Sequence, residues 1–589
     1  MELLFMTPDK LASLIKTSMG QEKADKVISS VQLLNVYSKE ILPDTFIAIK
    51  DDTIVYVGKE DKNLIGNDTL IIDGENCYAI PGFIEAHTHI AQLFKISYFS
   101  KYAAQNGVTT VITECGELGN VFGKTGIDVY LQKISSQPIN IFLTLPPLTP
   151  PFPQFETSKG LTLNDYKELL DNPLVIGLGE SYWPRVISCD KPVMELYSYA
   201  LNKNKILQAH SAGAKGNKLN AYITSGVSGC HEPVTSQEII DRMRLGLELI
   251  LREGSVRRDF SSIFSKGFKL ADYRMVAIAT DGVTPVDLIN DGLLNNIAKK
   301  AVKFGIDPIE VVRMLTINPA TFFNIHHRFG GIAPNKSADI SIVENLQDFN
   351  IKKVFSKGKL IFDSSKNINF TSHDLKYPKE FYNNIGIEKQ SIKDFKFNIQ
   401  NRNSVKVRAV RLFKELVTQE EVIELPVNKG DIDISSHNDL LKYAVYNRYG
   451  EYRKNLGFLI GTGISSGAFA STFNWENYQP IVFGKKESDM VIAINRLIDI
   501  NGGIVLVNNG EVLSEIPLSI GGIISDLSIE ELAEREAILV KKLKDLGCTI
   551  DNSFMILQTL SFTGLPFIRL TDKGLVDIKN QKFVPIIVD

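Results

Sequence analysis

Short apolar runs broken by polar turns open the chain, and the rhythm then changes. VQLLNVYS, TFIAIKDDTIVYVG and TLIIDGENCYAI are apolar stretches interrupted by Asp-Asp and Gly-Glu turns, the pattern of β-hairpins. Ahead of them, residues 1 to about 25 place Ala, Leu, Ile and Lys at helical spacing, which predicts a short amphipathic helix. The hairpin pattern returns later, in SADISIVENL and KKVFSKGKLIFD. The two stretches, 1–80 and 331–370, are expected to form one small composite β-sandwich domain interrupted by a long insertion.

Within that insertion, residues 81–330, strand candidates alternate with helical segments. The strand candidates are TTVITE, NIFLTLP, LVIGLGE, KILQAH, YITSGV and MVAIAT. The helix candidates are SYFSKYAAQNG, LTLNDYKELLDN, PVMELYSYALNKN, SQEIIDRMRLGLELILREG and DPIEVVRMLTINPATFF. Repeated strand–helix units over roughly 250 residues predict a (β/α)8 TIM-like barrel. An open parallel sheet is the other reading, and it too would place its ligand site at the carboxyl ends of the strands. Residues 371–400 are polar and aromatic and read as a connector. Residues 401–589 read as a separate C-terminal α/β domain: VKVRAVRLF, PIVFG and GGIVLVNNGEVLSEIPL are strand-like, while DMVIAINRLIDI and SIEELAEREAILVKKLKDLG are amphipathic helices. The fold class is therefore α/β.

Composition narrows the setting. With 589 residues the chain is too long for one core, and with 44% hydrophobic and 23% charged residues it has the make-up of a globular protein. A net charge of -3 gives no reason to expect nucleic acid or an acidic membrane as partner. Five single cysteines, an odd number without a spacing pattern, point to a reducing, cytoplasmic setting and away from disulfides or a thiolate metal site. The N-terminal MELLFMTPDKLASLIK lacks the features of a signal peptide, and no apolar stretch is long enough to span a bilayer.

Chemistry concentrates in six residues. His87 and His89 form an H-T-H triplet in PGFIEAHTHI, His210 ends KILQAH, His231 sits in SGCHEP, Glu180 ends VIGLGE and Asp281 follows VAIAT. Singly, each has an ordinary explanation as a cap, a turn or a hydrogen-bonded histidine. Together they give His-x-His, Glu, His, His, Asp in order, mostly at the ends of strand-like runs. Side chains alternate along a strand, so the two histidines of the triplet point the same way. Imidazole nitrogens and carboxylate oxygens suit a hard or borderline divalent cation, which ionises water near neutral pH. The set points to metal-assisted hydrolysis. The other histidines, His326, His327, His373 and His437, lie elsewhere in the sequence.

The chain resembles the amidohydrolase superfamily and, within it, the adenine deaminase family. The similar stretches are PGFIEAHTHI, GVTTVITE, LGLGE, LNAYITSGVSGCHE, LREGS, ATDG followed by DLINDG, TINPATFFNI and GIAPNKSADISIV. In the last domain DMVIAINRLIDINGGIVLV, EIPLSIGGIISD and LTDKGLVDI are similar too, and most amidohydrolases lack that domain. The resemblance implies conversion of adenine and water to hypoxanthine and ammonia, in purine salvage, by a hydroxide activated at two divalent metals. It implies His87, His89 and Asp281 on one metal, His210 and His231 on the other, and Glu180 bridging both. Asp281 would move the proton to the leaving ammonia. Mn2+ or Fe2+ suits this mixed N/O set better than Zn2+. A small purine base is the implied partner, and the family tends to form homo-oligomers.

The sequence departs from the family around the substrate. Where the family usually has D-P-H-E, this chain has Glu114-Cys115-Gly116-Glu117; where a second aspartate usually follows the metal aspartate, it has Gly282. The usual A-H-D-S-H-N is replaced by Asn474, Trp475, Glu476, Asn477, Tyr478 and Gln479. Candidate substrate contacts are Glu114, Glu117, Ser181, Trp475, Glu476 and Tyr478, with the two aromatic rings available for stacking. Two further readings follow from these changes. One keeps the mechanism and moves the substrate to another aminopurine, an N-substituted adenine or a cyclic amide. The other is a metal-binding protein without turnover, against which the intact ligand set argues.

Overall fold

The computed structural model describes residues 7–366, 368, 375–414, 416–450 and 453–588. Eight parallel strands form its centre: β1 (Phe83–Thr88), β2 (Val108–Glu114), β3 (Asn140–Leu145), β4 (Val175–Tyr182), β5 (Ile206–His210), β6 (Gly229–Cys230), β7 (Glu248–Arg252) and β8 (Val276–Ala279). They pair in chain order from β1 to β8, with helices in the connections. Every residue of β1, β2, β3 and β8 is buried, so these strands do not alternate between a buried and an exposed face.

Side chains and single peptide bonds close the barrel between β8 and β1. The amide of Asp281 donates to the His87 carbonyl at 3.0 Å, and the Thr280 hydroxyl donates to the Thr88 hydroxyl at 3.1 Å. The Glu85 carboxylate accepts from the Thr280 amide at 3.1 Å and from the His87 amide at 3.2 Å. Burial pushes the Glu85 carboxyl up to about 8 despite these donors.

Three connections differ from the sequence reading. YITSGV is not a strand: Asn217–Thr224 is a helix that buries Leu219 and Tyr222, three residues apart on one face, and the strand that follows is only Gly229–Cys230. SQEIIDRMRLGLELILREG is not one helix. It stops after Met243, turns at Gly246 with φ +78°, and continues as β7. DPIEVVRMLTINPATFF divides into helices Pro308–Met314 and Ile317–Phe322.

The flanking hairpin regions join in one sheet of eight strands, where Tyr78–Pro81 pairs antiparallel with Ile340–Val343. Its core includes Ile28, Leu33, Ile47 and Ile49 from the first stretch and Ile340, Ile342 and Phe355 from the second. The N-terminal helix spans Pro8–Ser18, capped by the Thr7 hydroxyl; residues 1–6 and, in the connector, 371–374 lie outside the described residues. The C-terminal domain is strand-rich. A sheet of ten strands, mostly antiparallel, carries the helices Glu487–Asp499 and Ile529–Asp545.

This last domain sits on the barrel face where the strands end. The Leu93 amide donates to the Ile523 carbonyl at 2.7 Å and the Ser525 amide to the Leu93 carbonyl at 2.9 Å, strapping the loop after β1. Asn120 after β2 donates to the Glu476 carbonyl, and the Thr157 amide after β3 donates to Asp572. Asn552 donates to the Ser255 carbonyl after β7, and Glu536 accepts from the Val286 amide after β8. Among the described residues, no hydrogen bond runs from the segments 211–216 and 231–235, after β5 and β6, to the C-terminal domain.

Candidate metal centre

Strand ends and unusual backbone aim the six ligand candidates at one space. His87 lies in β1 and His89 just beyond it, their rings 5.4 Å apart and nearly perpendicular. Glu180 has φ +34°, and the pairing of β4 with β5 slips a residue just there, between Leu207 and Ala209. Asp281, with φ +63°, is two residues past the end of β8. Left-handed backbone at non-glycine residues costs about 1–3 kcal/mol and is characteristic of functional sites. His210 ends β5 and His231 follows β6, its ring stacked on that of His87 at 3.9 Å.

The atoms converge at distances that suit a cation. His89 Nε2 is 3.0 Å from Glu180 Oε1, and His87 Nε2 is 3.3 Å from Asp281 Oδ1 and 3.8 Å from Glu180 Oε1. His210 Nε2 is 3.6 Å from Glu180 Oε1. Ligand atoms about 2.1 Å from a shared cation stand about 3.0–3.4 Å from one another. His87 Nε2 is buried yet makes no hydrogen bond, an electron-rich atom left facing the shared space. Ligand atoms within 4.8 Å of one another come in three overlapping groups: His87, His89 and Glu180; Glu180, His210 and His231; and His87, His231 and Asp281. The donor set fits divalent metal.

The electrostatics divide the ligand candidates: burial opposes charge on His89 and His210, but Glu180 beside both and Glu232 beside His210 outweigh it and hold these imidazoles well above their usual range. Burial opposes charge on Glu180, but His89 and His210 outweigh it and hold the carboxyl well below its usual range. Burial likewise opposes charge on Asp281, and contact with His87 and the Arg252 guanidinium overcome it. Burial and the neighbouring His87 and His210 push His231 well down, leaving its imidazole neutral as a ligand must be.

Several groups supporting the ligands escaped the sequence reading. Arg252, ending β7, donates to Asp281 Oδ2 at 3.2 Å and is held by Asp259 at 3.2 Å, which leaves Asp281 Oδ1 for the centre. Glu232 Oε1 lies 3.0 Å from His210 Nδ1, a bent contact, and Glu85 supports the seam beside His87. A carboxylate directly after a ligand histidine was the one readable cue, since such histidines commonly lean on carboxylates.

The substrate candidates divide. Glu114, Glu117 and Glu476 are all buried at the centre. Glu114 accepts from the Thr144 hydroxyl at 2.6 Å and lies over Gly179, where a Cβ would come within 1.8 Å of its Oε1. Burial pushes the Glu117 carboxyl up to about 7 against the pull of His89, and its Oε1 has no hydrogen-bond partner. Burial and the Glu180 charge push Glu476 well up. Trp475 places its ring 5.0 Å from that of His89, and its outer edge lies 3.8 Å from where a Cβ on Gly282 would be. Tyr478 donates to Gln92 Oε1 at 2.8 Å. Glu476 and Tyr478 have φ +71° and +53°. Ser181 turns away from Glu180, its hydroxyl paired with that of Tyr197 on the helix Lys191–Asn202. His373 lies outside the described residues, and His326, His327 and His437 contribute to none of the ligand groups.

Comparison with known proteins bears on the same two regions. The amidohydrolase family model matches residues 78–251 and 248–361, and the model of the adenine deaminase C-terminal domain matches residues 415–582. An adenine deaminase of Thermosipho melanesiensis is 34% identical over 589 residues, spanning 98% of this chain and 100% of its own. One of Clostridium botulinum is 33% identical over 588 residues, spanning 98% and 97%, and one of Kosmotoga olearia 32% over 583 residues, spanning 98% and 99%.

Proposed function

Since the chain belongs to the adenine deaminase family, we propose that its barrel centre hydrolyses adenine to hypoxanthine and ammonia: the bond from C6 to the amino nitrogen breaks as a bond from C6 to the oxygen of water forms. One observation carries this reading. The ligand groups His87–His89–Glu180 and Glu180–His210–His231 share Glu180, which supports two cations with one carboxylate between them. Bound divalent metal supplies Lewis acidity and makes a water molecule acidic near neutral pH. We assign manganese or iron, as hard cations suited to the mixed nitrogen and oxygen set.

The remaining work falls to the protein's own groups. Asp281, its Oδ2 held by Arg252, presents Oδ1 to take a proton and deliver it to the leaving nitrogen. Purine nitrogens are hydrogen-bond acceptors, and the protonated forms of Glu117 and Glu476, favoured by burial, can donate to them. Trp475 offers a flat face to the base. The free cysteines support a reducing, cytoplasmic setting for purine salvage; among the described residues, no helix is long and apolar enough to cross a membrane.

Trp475 against Gly282 also supports a second reading, in which the same reaction is applied to a different aminopurine. The indole and the bare glycine leave one wall of the pocket without polar partners, and such walls set specificity. Ammonia release from adenine by manganese-loaded protein, with hypoxanthine followed by absorbance, tests the first reading. Metal-loaded protein that is silent on adenine but turns over another base on a panel of aminopurines would favour the second.

A further inference from the structure

Solvent reaches the centre on one flank. The His210 side chain is 17% exposed, against 7% for Asp281 and less for His87, His89 and Glu180. The segment Ser211–Gly216 follows it, on the side without hydrogen bonds to the C-terminal domain. Gly213 and Gly216 have φ +77° and +55°, and a Cβ at either would meet nothing within 4 Å. This loop stands free at its outer edge, and free loops with glycine turns are the usual material of active-site covers.

Its inner edge is tied down. Glu232 Oε2 accepts from the Ala212 amide at 2.6 Å, and Trp183 Nε1 donates to the Ala212 carbonyl at 2.9 Å. Arg242 donates to the Ser211 hydroxyl at 2.8 Å and to its carbonyl at 3.0 Å. The other oxygen of Glu232 faces His210 Nδ1 at 3.0 Å, while the Tyr182 ring stacks on His210 at 4.9 Å. One carboxylate thus lies against a candidate ligand ring with one oxygen, in a close but bent contact, and accepts the adjoining loop's amide with the other.

We propose that Glu232 is a positioning residue that fixes His210 with Nε2 toward the centre and ties that orientation to the closed state of loop Ser211–Gly216, the flank by which the base enters. The inference rests on the metal-centre reading above. A carboxylate on the far nitrogen of a ligand histidine fixes its tautomer and ring orientation. Here the same carboxylate accepts a loop amide, so loosening the loop loosens the ligand.

The test compares wild type, Glu232→Ala and Glu232→Gln as full chains, with two readouts besides turnover. The first is the manganese dissociation constant, read from the magnetic resonance of free Mn2+. The second is the rate of tryptic cleavage after Lys215, an exposed loop residue. Glu232→Ala is expected to weaken manganese binding about 10–100-fold and to speed cleavage after Lys215. Glu232→Gln, which keeps one acceptor oxygen, should fall between it and wild type, and it serves alone if the alanine protein does not fold. Wild-type manganese affinity in the variants overturns the positioning role. Weakened binding with unchanged cleavage overturns the link to the loop. A wild-type protein that binds no manganese would instead overturn the metal-centre reading.

Discussion

The Tyr478 hydroxyl of the C-terminal domain donates to the Gln92 side chain at 2.8 Å, three residues past His89 in the barrel. Both residues are buried, so neither group has water to fall back on. Tyr478→Phe leaves the Gln92 oxygen unpaired, which costs about 1–3 kcal/mol. The expected outcome is a lower unfolding midpoint and reduced turnover on metal-loaded protein. An unchanged midpoint would mean that this contact contributes nothing to docking.

Asp281→Asn should lower turnover by about 10²–10⁴-fold, the range for loss of a proton-transfer group. The amide oxygen can still accept from Arg252, so the fold should persist. Circular dichroism and thermal unfolding check the fold, and ammonia release checks the rate. Wild-type rates would remove Asp281 from proton transfer.

Gly254 lies where two backbones meet: a Cβ there would stand 1.9 Å from the Thr280 carbonyl oxygen and 2.8 Å from that of Gly282. Backbone cannot swing aside as a side-chain tip can. Gly254→Ala should therefore push the Asp281 loop outward, at a cost of about 1–3 kcal/mol or more, and weaken manganese binding. Gly246→Ala, in the turn that leads into β7, is the comparison. It adds a methyl in open space at φ +78°, and it should cost only about 1 kcal/mol of backbone strain and leave the centre intact.

Glu536 gives a pH signature away from the ligands. Burial pushes its carboxyl up to about 7 even though the Val286 amide donates to it. A raised carboxyl stabilises the fold fully below its unfolded value, near 4.5, and loses that contribution as pH rises through about 7. Glu536→Gln keeps an acceptor and removes the ionisation. At pH 8 the variant should be more stable than wild type by on the order of 2–3 kcal/mol, with the difference vanishing near pH 4.5 and below. Parallel denaturation curves across that range check it. A constant offset would show that Glu536 does not titrate with folding.

Trp475→Ala removes a ring beside His89 and should raise KM for the base about 2–10-fold, the worth of an aromatic contact. Steady-state kinetics check it, and an unchanged KM would place the ring outside the base pocket.

The convergence of the six ligand candidates was legible because each member ends or follows an apolar run, and a parallel barrel presents those ends on one face. Three local readings failed: YITSGV is helix and not strand, SQEIIDRMRLGLELILREG turns at Gly246 into a strand, and DPIEVVRMLTINPATFF breaks into two helices. Leu219 and Tyr222 suit a helix face as well as a strand, and β6 is only two residues long, with Ser211 and Cys230 in side-chain contact at 2.8 Å beside it. Glu85 and Arg252 could not be singled out, because their importance lies in contacts made only after distant strands come together, whereas Glu232 carried a cue in its place directly after His231. The aromatic type of Trp475 could be read, but not that its ring lies beside His89 with its outer edge near Gly282.

On the metal-centre reading, the seam between β8 and β1 would give a bound cation a part in folding. Thr88 and Thr280 meet there across 192 residues of chain, and their neighbours His87 and Asp281 come into one candidate ligand group only once they do. Holding ends so distant together carries a large loop-closure entropy. A cation that binds only the closed ring acts as a clasp on it, adding stability in proportion to the logarithm of its free concentration. Stripped of metal, the protein should part first at this seam, its eighth strand exchanging amide hydrogen well before the strands opposite.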